Sequence, residues 1–159
     1  MLRPNLELRL VAGELGNGVP QAFTFELVNI SDHDVRVPQP SVDCGSDFYG
    51  SIWLLLVFRP PHMADEWAGF GCADDRFDGD PILKRVQKWQ LLHPGEVAKQ
   101  TIGRDHLHYE GKDPGKYDFW ADYRPPAIEQ DDQKALRDAG IDFPREPLSS
   151  QHIIYEKQP

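Results

Sequence analysis

The sequence predicts an all-β protein built as an antiparallel β-sandwich. Apolar and polar residues alternate over 6–10 and again over 23–27, which is the pattern of strands with one buried face. Two Pro-Gly turns, at 93–95 and 113–115, each lead into a further alternating run. With 14 prolines, 13 glycines and little helical periodicity, the chain favours antiparallel sheets joined by turns over a parallel α/β architecture.

Length and charge limit the class of protein. A chain of 159 residues is predicted to form a single domain over 1–159. Its net charge of −9 repels phosphate backbones and anionic lipids, so no nucleic-acid partner and no membrane partner is expected. No apolar run approaches the roughly 20 residues that a spanning helix needs.

The compartment and the state of the cysteines stay open. Residues 1–5 lack the apolar core of a secretion signal, which indicates a cytoplasmic protein if Met1 is the native start and a periplasmic or secreted one otherwise. Cys44 and Cys72 fit either two free thiols in a reducing compartment or one disulfide in an oxidising one. They flank the strand 51–58 and would lie near each other if the chain folds back along it.

Alternation and turn signals together predict seven to eight strands. The run 52–58 is apolar on both faces, so it is expected to be a central strand whose outer face is also covered. The predicted strands, in chain order, cover residues 6–10, 22–30, 35–37, 52–58, 86–92, 96–102, 115–124 and 149–156.

Two insertions separate these strands. Residues 59–84 have no sustained period and are predicted to be a long loop, of the kind that is usually functional or mobile. Residues 131–139 are predicted to form a short helix that begins at a cap, Asp131 or Asp132, and ends at Gly140.

Two short motifs carry a resemblance to known domains. The run Asp113-Pro114-Gly115-Lys116-Tyr117 resembles the Asp-x-Gly-x-Tyr corner of immunoglobulin-type domains. The segment 29–38, with Asn-x-Ser-Asp followed by Val-x-Val-Pro, resembles the second hairpin of many bacterial immunoglobulin-like domains. The resemblance implies an immunoglobulin-like or fibronectin type III-like β-sandwich over 5–58 and 86–156. It also implies that the hydroxyl of Tyr117 is buried and bonds to upstream backbone.

The chain departs from that family in two respects. The cysteine pair between the sheets is missing, since Phe25 or Leu27 and Phe119 stand at the matching core positions. The insertions at 59–84 and 125–147 are longer than such domains need. The first departure costs little, because apolar pairs fill the volume of the disulfide. The second departure, the long insertions, is where a specific function is expected.

Two groups of side chains have partial metal-ligand patterns. The acidic run 74–80 resembles a fragment of a calcium loop, but Arg76 occupies a ligand position and Arg85 stands where the bidentate glutamate belongs. A solvated acidic loop is therefore the preferred interpretation. The pair His106 and His108 resembles part of a zinc site, although no third ligand is visible. The weak candidate ligands are Asp74, Asp78, Asp80, His106 and His108, and no cofactor is predicted.

Catalysis finds no support in the motifs. A Gly-x-Ser-x-Gly nucleophile elbow is missing, and neither cysteine lies in a recognisable protease context. Gly69-Phe70-Gly71 is followed by Cys72-Ala73 and not by the Lys-Ser or Lys-Thr of a phosphate-binding loop. An enzyme is therefore the minority hypothesis.

The aromatic residues carry the strongest functional signal. If Tyr117 and Phe119 face the core, Trp120 must point outward, because side chains alternate along a strand. In the immunoglobulin order the strand 52–58 is its neighbour, so Trp53 and Trp120 are predicted to share an outer apolar patch. The favoured interpretation is that this patch is covered within the chain, either by Trp67 and Phe70 of the insertion or by the 131–139 helix.

The sequence thus favours a non-catalytic interaction or accessory module. Its binding residues are predicted to be Trp53, Trp120, Trp67 and Phe70, and its partner another protein or the chain itself. The alternative is a small proteinase-inhibitor-like or metal-binding protein that acts through the 59–84 loop, since bacterial intracellular proteinase inhibitors have a similar strand order and Pro-Gly-x-Tyr corner. An exposed 59–84 loop would favour the inhibitor and a packed one the plain module.

Overall fold

The computed structural model describes residues 4–16, 18–38, 40–41, 52–73, 80–109, 111–125 and 127–159, with only the backbone described at 40–41, 52–53 and 70–73. These residues are mostly β-structure. The strands, in chain order, are β1 (Leu6–Ala12), β2 (Leu15–Gly16), β3 (Val19–Pro20), β4 (Phe23–Asn29), β5 (Val35–Val37), β6 (Pro40–Ser41), β7 (Ile52–Arg59), β8 (Glu66–Ala73), β9 (Gln90–Leu92), β10 (Val97–Ile102), β11 (Gly115–Tyr123), β12 (Leu148–Ser149) and β13 (Ile153–Lys157).

Helical structure is limited in the described part of the chain. It consists of α1 (Ile82–Arg85), α2 (Gln130–Asp138) and 3-10 turns at Val86–Lys88 and Arg104–His106. None of these helices has the length and apolar content needed to cross a membrane.

The named strands pair antiparallel in two larger and two smaller sheets. One of the two larger sheets has three strands, with β4 between β1 and β10. The other has six strands and is called the larger sheet below. Its order is β12-β11-β7-β8-β6, and β13 also pairs with β11. The pairs β2–β3 and β5–β9 form the two small sheets.

Alternation in the sequence becomes alternation in burial. Along β1, Leu6, Leu8 and Leu10 are buried while the residues between them are exposed. The inward side chains of both larger sheets join one hydrophobic cluster. Phe119 of β11 lies inside it, with its ring centroid 4.9 Å from that of Phe23 on β4. The predicted half-buried strands are thus confirmed, and burial of their apolar faces is what holds the two sheets together.

The predicted tyrosine corner is present. Tyr117 is buried, and its hydroxyl donates a 2.7 Å hydrogen bond to the backbone carbonyl of Asp113. Burial raises the pKa of the Tyr117 hydroxyl. The bond ties the turn before β11 to the first inward residue of that strand.

The strand β7 is central, as its doubly apolar sequence predicted. It pairs with β11 on one side and β8 on the other. Leu54, Leu56 and Phe58 belong to the main hydrophobic cluster. Leu55 and Val57, which project to the opposite face, are also buried. Both faces of the strand are therefore covered.

The prediction of a loop throughout 59–84 is wrong. Residues 66–73 form β8, which pairs with β7, and residues 82–85 form α1. The alternation is hidden by register shifts in the β7–β8 pairing and by Gly69, where a Cβ atom would lie 3.0 Å from the carbonyl oxygen of His106. A glycine in a bulged strand marks close approach of another backbone and removes the apolar pattern.

Two other predicted elements differ from the structure. Residues 86–88 of the predicted strand 86–92 form a 3-10 turn, and only 90–92 form a strand. The last predicted strand, 149–156, is divided into β12 and β13. Residues 150–152 interrupt the pairing with β11, but β12 and β13 both run antiparallel to that strand, so the chain keeps its direction there.

Helix α2 confirms the predicted helical insertion and corrects its start. The residue before the helix is Glu129, which makes no side-chain cap, whereas Asp131 and Asp132 lie inside the first turn. They still favour the helix there, because carboxylates interact well with its N-terminal dipole. Gly140 follows the helix with a φ of 72°, as predicted.

A second hydrophobic cluster gathers around α2. We call it the satellite cluster, and its buried members are Ile82, Val86, Trp89, Leu136 and Phe143. The helix thus packs on α1 and its neighbours through Leu136, its buried residue. The cover over Trp120 that was expected from the helix does not come from Leu136.

Candidate functional site

The candidate site is the side of the larger sheet that faces away from the main core. Trp120 on β11 pairs with Val57 on β7, which in turn pairs with Trp67 on β8. Directly paired residues project to the same face of a sheet. The inward neighbours of Trp120, Phe119 and Ala121, are buried in the main cluster, so this row points outward. We call this side the outer face and define it by Val57, Arg59, Trp67, Trp120 and Ile154.

Exposure differs along the row and is greatest at Trp67 on β8. Val57 is 7% exposed and Trp120 is half-buried, whereas Trp67 is 57% exposed. On the other side of β11, Ile154 pairs with Asp118 and is 56% exposed. Large apolar side chains therefore stand in solvent on both sides of Trp120.

The indole of Trp120 is held by two neighbours. The His152 ring stacks on it with a centroid distance of 4.6 Å and an interplanar angle of 16°. The guanidinium carbon of Arg59 lies 5.9 Å from the indole centroid, within the range of a cation–π contact. Arg59 comes from the strand on one side of β11 and His152 from the segment before the strand on the other. These contacts fix the orientation of the indole.

The charges on this face are largely paired within the chain. His152 Nδ1 lies 2.8 Å from Asp118 Oδ1, and Arg59 Nε donates to Asp65 Oδ1 at 2.7 Å. On the next outward position of β11, the carboxylate of Asp122 accepts a hydrogen bond from the Ser149 hydroxyl. Of these contacts, Arg59 with Asp65 is an ion pair between two charged side chains, whereas Asp122 is bonded to a neutral hydroxyl.

A cleft of about 340 Å³ adjoins the outer face. It lies between the β7–β8 turn and the start of β11, and Arg59, Met63 and Lys116 line part of it. The turn approaches β11 closely, because a Cβ atom on Gly115 would lie 3.0 Å from the Pro61 ring. Met63 in this turn is exposed. The cleft gives the outer face a concave edge lined by both apolar and charged side chains.

Of the four predicted binding residues, Trp120 and Trp67 lie in one row of this face. Trp53 lies in β7 and Phe70 in β8, but their side chains are outside the described part of the structure. His152 and Ile154 were not predicted. Ile153, Ile154 and Tyr155 are all apolar, so the sequence has no alternation that would place Ile154 outward, and nothing in it indicates that His152 stacks on Trp120.

The weak metal candidates do not form a site within the described residues. Asp74 and Asp78 lie outside them. The carboxylate of Asp80 lies 3.4 Å from the Lys84 ammonium, and the side chains of His106 and His108 are exposed. Among the residues that the structure describes, no three His, Cys, Asp or Glu side chains are grouped to hold a metal ion. The cysteine prediction concerns Cys44 and the Cys72 side chain, which also lie outside the described part.

Comparison of the chain with protein-family models and with curated proteins found no match.

Proposed function

We propose that this protein is an immunoglobulin-like β-sandwich that binds another protein through its outer face and performs no catalysis. The strand order supports the fold. If β1, β4 and β10 correspond to strands A, B and E, then β7, β11 and β13 correspond to C, F and G, which is the immunoglobulin division between two sheets. The tyrosine corner then falls at the start of strand F, where that fold has it.

The observation that carries the binding proposal is the exposure of Trp67. A tryptophan that is 57% exposed, in line with Val57 and Trp120, places a large apolar surface in water. Contiguous apolar surface of this kind on a folded chain marks interaction sites, and tryptophan is enriched among the residues that dominate binding energy.

Charge favours a different protein over a second copy of the chain. Two copies that each carry −9 repel each other, whereas a neutral or basic protein does not meet this repulsion. The ion pair of Arg59 with Asp65 compensates two charges of the outer face within the chain, which lowers the cost of approach at the contact itself.

The inhibitor alternative receives less support. An inhibitor acting through 59–84 needs that segment to project from the body of the protein. Its residues 66–73 instead extend the sheet beside β7, and Ala68 and Gly69 within them are buried. Residues 68–69 are packed as expected of a plain binding module, whereas 62–67 are exposed.

Affinity capture tests the proposal. The immobilised chain is incubated with an extract of the cells that naturally produce it, in parallel with Trp67→Glu and with Leu15→Glu as the matched control. Leu15 is 58% exposed but lies on β2, outside the larger sheet. We expect a specific protein that the wild type and Leu15→Glu retain and that Trp67→Glu loses. Equal retention by all three proteins would contradict the proposal.

A further inference from the structure

The imidazole of His33 joins two carboxylates from distant parts of the chain. Its Nε2 lies 2.6 Å from Asp142 Oδ2, and its Nδ1 lies 2.9 Å from Asp32 Oδ1. His33 belongs to the turn between β4 and β5, whereas Asp142 belongs to the segment between α2 and β12. One ring therefore links two segments that are 109 residues apart in sequence.

This geometry requires a proton. An ionised carboxylate only accepts hydrogen bonds, and a neutral imidazole has a single N–H to donate. Only the imidazolium form can donate to both carboxylates at once. When the ring is neutral, one of its two contacts brings a nitrogen lone pair against a carboxylate oxygen, and that contact is lost.

Asp142 lies at the junction between the main core and the satellite cluster. Its backbone carbonyl accepts a 2.9 Å hydrogen bond from the amide of Arg36 on β5. The side-chain amide of Asn5, before β1, donates to the carboxylate of Asp142 and to the carbonyl of Phe143. The Phe143 side chain is part of the satellite cluster. The hydrogen bonds that hold Asp142 in place therefore also hold the satellite cluster against the main sheets.

We propose that His33 is a proton-dependent clasp that fastens the segment around Asp142, and with it the satellite cluster, to the β4–β5 turn. The protonated ring holds Asp32 and Asp142 together. The neutral ring has one N–H and keeps at most one of these hydrogen bonds; a bond that it keeps to Asp142 loses its charge assistance and holds the segment less tightly. This inference is independent of the binding proposal, since the clasp lies away from the outer face.

Other charged groups around the clasp set how far it opens. Arg145 Nε lies 3.7 Å from Asp142 Oδ1 and remains as a cation for that carboxylate when His33 is neutral. On the β9–β10 turn, His93 Nδ1 lies 2.7 Å from Asp34 Oδ1, and Glu96 accepts from the His93 amide. Because Arg145 and the Asn5 amide stay in place, the segment is expected to loosen and not to detach.

Solvent can exchange the proton, and the direction of the effect follows from the contacts. A cleft of about 510 Å³ opens beside the clasp and is lined in part by Asp32, His33 and Arg145. The hydrogen bonds to Asp32 and then Asp142 raise the pKa of His33 above its ordinary value of 6.5. The clasp is therefore fully formed below that ordinary value and is lost as the pH rises through the raised one.

Hydrogen exchange of the Arg36 amide measures the clasp directly, because this amide donates to Asp142. We expect its protection factor, corrected for the intrinsic rate, to fall several-fold between about pH 6 and about pH 8.5, where histidine titrates. His33→Gln should abolish this pH dependence, whereas His152→Gln, which removes a histidine of the outer face, should keep it. A wild-type protection factor that does not change, or a dependence that survives in His33→Gln, would overturn the proposal.

A second measurement can be made first on the wild-type protein, where no substitution affects folding. An NMR titration of the wild-type His33 ring should show a midpoint above the ordinary value of about 6.5. Asp142→Asn should lower that midpoint, and Asp118→Asn, which removes the partner of His152, should not. A wild-type midpoint at or below the ordinary value would contradict the clasp.

Discussion

The hydroxyl of Tyr117 donates a 2.7 Å hydrogen bond to the carbonyl of Asp113, four residues earlier in the chain. This bond closes the turn that delivers β11 to the main core, where the ring of Tyr117 stacks with that of Phe119 at a centroid distance of 6.2 Å. The same strand carries Trp120 on its other side. The corner therefore fixes which side chains of β11 face the core and which face outward.

Removing this hydroxyl tests the corner. Tyr117→Phe should lower the free energy of unfolding by about 1 kcal/mol, since a part-buried hydrogen bond is lost while the ring packing is kept. Urea denaturation of the two proteins gives the difference from the shift in midpoint. A variant as stable as the wild type would show that the bond contributes nothing to the fold.

The two faces of the larger sheet should respond very differently to truncation. Phe119 is fully buried between the sheets, so Phe119→Ala should cost about 3–5 kcal/mol. Ile154→Ala, on the exposed side of the neighbouring strand, should change stability by less than about 0.5 kcal/mol. Thermal unfolding of both variants makes the comparison, and equal losses would contradict the assignment of Ile154 to the solvent side.

The left-handed backbone conformation at residue 140 should require a glycine. It ends α2 at a φ of 72°, with its amide bonded to the carbonyl of Arg137 and the next amide bonded to that of Leu136. This pairing is a Schellman motif, and its left-handed residue favours glycine. Gly140→Ala should therefore cost about 1 kcal/mol.

Gly103 provides the matched control for that substitution. An added Cβ meets nothing within 4 Å at either glycine, but Gly103 has a φ of −98°, which any residue adopts. Gly103→Ala should be neutral or slightly stabilising. If the two alanine variants unfold at the same denaturant concentration, the left-handed conformation at Gly140 is not what stabilises the end of the helix.

The sequence predicts those parts of the fold that depend on local patterns. The alternation of Leu6, Leu8 and Leu10 predicted β1, and the Asp-Pro-Gly turn predicted the corner at Tyr117. The strand β8 was missed, because Gly69 is required for the close approach of the 103–109 backbone and carries no apolar side chain. A strand whose sequence is determined by backbone proximity has no periodicity to detect.

The site could be predicted only in part for a related reason. The alternation of side chains along β11 predicted that Trp120 points outward, since that inference needs only neighbouring residues. The stack of His152 on Trp120 and the contact of His33 with Asp142 join residues 32 and 109 positions apart. Such pairs arise from sheet register and from the docking of α2, neither of which a single sequence contains.

Site-specific photo-cross-linking at position 67 tests the binding proposal most directly. A photoreactive phenylalanine derivative replaces Trp67 in the full chain, produced in its natural cells, and replaces Leu15 in the control. If the outer face binds another protein, irradiation should give one discrete adduct with a different protein from position 67 and none from position 15. An adduct of two copies of the chain would contradict a different partner, and no adduct from position 67, or the same adduct from both positions, would contradict the outer face as a binding surface.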